Sequence, residues 1–283
     1  MVQHSTPSPI RTYQDFVAGQ STLARARGLA RDTAIRLMAA GRSPENDGIR
    51  FPYYHHVFND EREGFARQLK YMASLGDFIG IDDAVAMLNS GAPITGRYFC
   101  LTFDDGFKNW ATNAVPLLLD AGATAAFFIV TGCIGTSIED DRDKLLGFYD
   151  QGDLLMEFLN WDDCRAMADA GMTIGSHTVN HVHLAELDDA EVQAEMQGSK
   201  ETIEAELDRV CDHFCCPFGR ATIDYLPDRD PSIARSVGYR SFLATNRGMA
   251  RQGTSPMEIP RDHLLAGWDN YQLQYFYSRS NGS

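Results

Sequence analysis

The chain has 283 residues, 44% of them hydrophobic and 23% charged, with a formal net charge of −14 and an isoelectric point near 4.9. A chain of this length can bury a sizeable core, and one barrel-sized domain with a short extension accounts for it. The acidic balance and the absence of any basic stripe exclude a nucleic-acid footprint and disfavour polyanionic substrates.

Residues 1–45 read as an N-terminal helical extension. Met1 to Gln20 lacks the charged-then-apolar pattern of a secretory signal, and no apolar run reaches membrane-spanning length, so the expected location is the cytoplasm. Ser21 to Arg42 is helix-forming and carries Arg25, Arg27, Arg31, Arg36 and Arg42 against the single acid Asp32. Such a cationic helix either packs against the acidic body or, through residues 21–42, makes a peripheral contact with an anionic inner membrane face. Six cysteines (Cys100, Cys133, Cys164, Cys211, Cys215, Cys216) show no Cys-x-x-Cys spacing and read as reduced, structural thiols.

From Gly48 a strand-then-helix rhythm begins. Ile49 to Tyr54 is strand-like and ends in His55-His56; Phe65 to Leu75 and Ile81 to Leu88 have helical spacing. Arg97 to Asp105 is a buried strand that stops at two carboxylates and Gly106, and Lys108 to Ala121 reads as the following helix. Thr124 to Val130 is the next buried strand. Thr131 to Asn160, with Glu139-Asp-Asp141 inside it, is the longest irregular stretch and a candidate lid. Trp161 to Ala170 is a helix, and Met172 to Gly175 a strand leading into Ser176-His-Thr-Val-Asn-His181. Asp188-Asp-Ala-Glu191 caps a helix whose apolar face runs Val192, Met196, Ile203, Leu207. Phe214 to Gly219 and a strand over Ser241 to Ala244 follow. The alternation predicts a parallel α/β sheet, closed or partly closed as a barrel.

The chemistry follows from ligand types at strand ends. Asp104 and Asp105 side by side repel unless a cation relieves them. His177 and His181, at i and i+4, face one side of a helical turn. Two imidazoles and the Asp105 carboxylate make a three-donor site with an open position, typical of a hydrolytic divalent metal; zinc is the default, and cobalt, nickel or ferrous iron also suit the donors. Asp104 beside it is the expected general base. His183, His213 and Cys216 read as packing residues rather than ligands, and Trp110 and Trp161 as core residues rather than sugar platforms.

Thr102-Phe-Asp-Asp-Gly106, Ser176-His-Thr-Val-Asn-His181 and Pro217-Phe-Gly219 resemble the first three motifs of the polysaccharide deacetylases of the NodB-homology kind, carbohydrate esterase family 4. The resemblance implies a distorted (β/α)7-type barrel over residues 46–283 and metal-dependent removal of an N-acetyl group from an amino sugar. It carries the base to Asp104, the metal ligands to Asp105, His177 and His181, and part of the oxyanion site to the backbone around Phe218. Where the family often has an arginine that buttresses the base, this chain has Cys215, and Arg261 is the candidate replacement. The usual C-terminal Leu-x-His is not evident. Tyr54-His55-His56-Val57 resembles instead the poly-N-acetylglucosamine deacetylase branch, whose acid histidine lies on the N-terminal side. His55 is thus the expected acid, with His56 and His263 as alternatives. The implied partner is an acetylated amino sugar in an oligosaccharide, lipid-linked or nucleotide-linked precursor of an exopolysaccharide. Alternatives are a catalytically silent carbohydrate-binding relative and a formamide or cyclic-imide hydrolase on the same metal site.

Overall fold

A computed structural model describes residues 8–19, 21–45, 47–149 and 154–278. Seven short parallel strands form one curled sheet: β1 (Pro52–Tyr54), β2 (Leu101–Asp105), β3 (Ala125–Ile129), β4 (Thr173–Ser176), β5 (His213–Cys215), β6 (Ser241–Leu243) and β7 (Asp262–His263). Their spatial order is β7-β1-β2-β3-β4-β5-β6, so chain order and neighbour order coincide and the last strand closes beside the first. Among the described residues β6 does not pair with β7 itself, and a single bridge, Leu243 with Ile259, joins β6 to the segment that precedes β7. This is the distorted (β/α)7-type barrel expected above.

Side chains alternate along each strand, which divides the core in two. Leu101, Phe103, Phe127 and Ile129 face outward and pack under the helices. Phe51, Cys100, Ala126, Phe128, Cys215, Leu243 and Ile259 fill the lumen. Beneath the lumen lies a second, four-stranded sheet in the order Met249–Ala250, Gly48–Arg50, Arg97–Phe99, Asp77–Phe78, with the helix Ile81–Asn89 against it. Ile49 to Tyr54 and Arg97 to Asp105, each read from sequence as one strand, are broken at Phe51 and Cys100, where the chain passes from this floor into the barrel.

The helix expected over Lys108 to Ala121 opens as a widened π turn over Trp110–Ala114 before α-helix takes over at Val115–Asp120. Pro116 has no N–H to donate to the turn before it, which accounts for the irregular start. Asp188 and Glu191 form the anticipated capping box on the helix Asp189–Leu207, and Val192, Met196, Ile203 and Leu207 are its buried face. All six cysteines are free and buried. In the expected lid, Arg142–Leu146 forms a short helix, and residues 150–153 lie outside those described.

The N-terminal helix Thr22–Ala39 lies along the last helix, Asn270–Tyr277. Tyr271 and Gln272 donate to the Asp32 carboxylate, and the Arg36 and Arg42 guanidinium groups sit over the Tyr271 and Tyr275 rings. No helix among the described residues is long and apolar enough to cross a membrane.

Candidate metal centre and active site

Asp104, Asp105, His177, His181 and Phe218 lie at or just beyond the carboxyl ends of the barrel strands, where loops vary over a rigid frame. Asp105 ends β2 with φ 95, a left-handed conformation that a non-glycine residue adopts only under constraint. Its Oδ1 lies 3.4 Å from His177 Nε2 and 3.3 Å from His181 Nε2. The three ligand atoms lie within 4.8 Å of one another, the convergence a divalent cation requires of a carboxylate and two imidazoles. His177 Nδ1–H donates to the Cys215 carbonyl at 2.7 Å, which orients the ring with Nε2 toward Asp105. Burial opposes ionisation of Asp105, but the neighbouring imidazoles of His55, His177 and His181 outweigh it and hold the carboxyl well below its usual range. The donor set and its orientation fit a metal.

The two histidines do not sit on the helical turn that their spacing suggests. Thr178 (φ 67) and His181 (φ 55) are both left-handed, so residues 177–181 form a tight loop. Glu195, from the helix Asp189–Leu207, accepts the Val179 and Asn180 N–H groups at 2.9 and 3.0 Å and holds that loop. Thr178 Oγ1 accepts the His181 N–H, and Phe148 stacks on the His181 ring at 4.9 Å. Nothing in the spacing of Glu195 marks it in the sequence as a loop anchor.

Asp104 faces the lumen beside Thr102. Arg261, fully buried, grips both its oxygens at 2.7 Å and 2.7 Å, and donates through Nε to the Ala244 carbonyl. The Tyr53 ring lies 4.3 Å from the guanidinium. Burial alone would raise the Asp104 carboxyl; the Arg261 charge and hydrogen bonds reverse that and lower it. Cys215 Sγ stands 3.6 Å from Asp104 Oδ1, so Arg261 reaches the base across the lumen past the cysteine that occupies the usual arginine position.

Of the three candidate acids, His56 is fully engaged. Asn109 accepts the Val57 N–H through Oδ1 and so presents its amide N–H to His56 Nδ1, while His56 Nε2 pairs with the Tyr149 hydroxyl at 2.8 Å. Burial pushes His56 down to about 3, and His263 likewise. The His55 ring is edge-on to His263 at 5.2 Å, and its charge helps lower both Asp104 and Asp105. Trp110, fully buried, donates through Nε1 to the His55 carbonyl at 2.7 Å and is a core residue as expected.

Phe218 is held at φ 59 in a γ-turn closed by Gly219 N–H to the Pro217 carbonyl. Its own N–H makes no hydrogen bond among the described residues. The ring is stacked on His183 at 3.8 Å, and His183 pairs with the buried Asp224, so His183 supports Phe218 and stands outside the metal group. His213 is tied to Ser241 and Asp82 at the amino end of β5.

These groups open into one cavity of about 370 Å³ that contains Asp104, Asp105, His177, His181, His55, His263 and Phe218. Tyr13, Phe16, Glu61 and Tyr149 also line it, and no sequence motif singles them out.

Among solved structures, IcaB from Ammonifex degensii superposes with a TM-score of 0.68 at 21% identity, covering 82% of this chain and 98% of that one. The Streptococcus pyogenes deacetylase PplD gives 0.65 at 22%, covering 82% and 97%, and the BpsB deacetylase domain from Bordetella bronchiseptica gives 0.62 at 19%, covering 78% and 98%. At these identities the likeness is one of fold. YxkH of Bacillus subtilis (strain 168) is 25% identical over 185 residues, 65% of this chain and 58% of that protein, so the chain spans less than two thirds of that relative's length. The polysaccharide deacetylase family model matches residues 92–242, more than half of the chain and the part that holds Asp104, Asp105, His177, His181 and Phe218, and the chain accordingly belongs to the polysaccharide deacetylase family.

Proposed function

We propose that this chain is a metal-dependent N-deacetylase that hydrolyses the acetamido group of an amino sugar in a glycan or glycan precursor. The observation that carries the reading is the convergence of Asp105, His177 and His181 on one point beside an ionised Asp104 in a ligand-sized cavity. A divalent cation, zinc by donor type, would be held by those three residues and would supply Lewis-acid activation of the water and the acetyl carbonyl. Asp104, kept as the carboxylate by Arg261, accepts a proton from the attacking water. The water oxygen adds to the acetyl carbon, and the free Phe218 N–H donates to the oxyanion. The C–N bond then breaks as His55 protonates the leaving nitrogen, giving acetate and a free amine.

The silent-relative alternative draws on the missing arginine before the third motif; the Arg261 ion pair restores that charge from the residue just before β7 and weighs against it. Purified protein should carry near-stoichiometric divalent metal that His177→Ala/His181→Ala loses and Asp104→Asn keeps. Acetate release from acetylated glucosamine oligomers should fall about 10²–10⁴-fold in Asp104→Asn. Turnover that survives Asp104→Asn with metal bound would overturn the assignment of the base.

A further inference from the structure

One end of the cavity is built, apart from Tyr149, by residues that lie outside the family match. Away from the metal group its floor is Phe58, Glu61, Leu264 and Ala266, all buried. Glu61 locks that floor by accepting the Phe58 and Gly267 N–H groups at 3.2 and 2.9 Å. Over it runs the N-terminal segment Ile10 to Phe16. The Phe16 ring meets Tyr149 edge-on at 5.8 Å on one side, and His56 and Phe58 at 5.3 and 5.4 Å on the other. A single side chain therefore spans the gap between the lid and the mouth of β1.

The segment is fastened at both sides. Ile10 N–H donates to the Leu155 carbonyl at 2.9 Å and Arg11 pairs with Glu157 at 3.1 Å, which ties it to the lid. Asn59 N–H donates to the Arg11 carbonyl, and the Tyr13 and Gln14 N–H groups donate to Asp60, which ties it to the turn after β1. Thr12 caps the short helix Tyr13–Phe16. A groove for a long polymer needs both ends open, and here a buried floor and an aromatic roof shut one.

We propose that Phe16, supported by Tyr13 and Tyr149, is a specificity-determining wall that makes the catalytic cavity blind at one end, so that the chain acts on a terminal acetamido sugar and not on internal residues of a long glycan. This rests on the deacetylase reading. The flat apolar wall suits the apolar face of a pyranose ring, and the cavity volume is near the lower end of the usual ligand range of about 300–1,000 Å³.

The test compares kcat/KM for acetate release from N-acetylglucosamine and its dimer and pentamer in the metal-loaded parent, Phe16→Ala and Tyr13→Ala. The parent ratio of pentamer to monomer should not exceed about one, and Phe16→Ala should raise that ratio about tenfold, with Tyr13→Ala moving it in the same direction. A parent ratio that climbs with length, or an unchanged ratio in the folded variants, would overturn the wall while leaving the deacetylase reading intact. Calorimetric titration of the same sugars separates the two claims. Pentamer affinity gained in Phe16→Ala without acetate release from any form would retire the deacetylase reading and keep the wall. Absence of both binding and release would overturn both.

Discussion

Arg261 and Asp104 make the most exacting contact in the barrel, because both side chains are almost wholly buried and each is the other's neutralising charge. Arg261→Met should cost about 3–5 kcal/mol by stranding a buried carboxylate. Arg261→Met with Asp104→Asn should recover most of that loss, since the carboxylate is then gone. Urea denaturation of the two variants measures the coupling, and equal destabilisation by both would show that packing rather than charge matters there. The pairing was partly legible. A carboxylate at a strand end asks for a cation, and the resemblance, with Cys215 where the family often has its arginine, points to Arg261 as the replacement. The distances were not legible, since the partner's sequence separation of 157 carries no periodic signal. His56 was harder still: it adjoins His55, and only the Asn109 and Tyr149 contacts show it to be occupied at both nitrogens.

Elements with a local cause could be read from the sequence; those set by the rest of the fold could not. The capping box of Asp188 and Glu191 is written in four residues. The loop bearing His177 and His181 departs from the helical turn that its spacing predicts because its shape comes from Glu195 and from the segment just after β3, where the Thr131 and Gly132 N–H groups donate to the Thr178 and Val179 carbonyls. Glycines separate the two cases. At Gly175 in β4 a methyl group would meet the Phe128 ring at 2.6 Å and the His213 carbonyl at 3.0 Å. Gly175→Ala should therefore destabilise by about 1–3 kcal/mol and disturb the neighbouring His177. At Gly28, inside the N-terminal helix, a methyl group meets nothing within 4 Å, so Gly28→Ala should stabilise by about 0.5–1 kcal/mol. Opposite signs in chemical denaturation check both assignments.

For the molecule as a whole, burial decides how it responds to acid. His56 and His263 are held neutral with pKa values pushed down to about 3, whereas in the unfolded chain they take up protons near 6.5. Their contribution to stability is complete above about pH 6.5 and drains away as pH falls toward about 3. Glu61 opposes them: burial raises it to about 7 from 4.5, so its contribution is present at low pH and lost as pH rises through about 7. Two histidines outweigh one glutamate, and the melting temperature should fall on acidification from about pH 6.5 to 4.5, less steeply in His56→Asn. A melting temperature that climbs over that interval would assign the balance to Glu61 instead. The order in which the barrel is built has another consequence. On the ribosome Asp104 emerges 157 positions ahead of the guanidinium that neutralises it. Until β7 arrives and docks on β1, the nascent lumen holds an unmatched carboxylate, and the half-assembled sheet has no electrostatic reason to close around it. Maturation of the catalytic base and completion of the fold are one event, and a translation product cut short before residue 261 would attain neither.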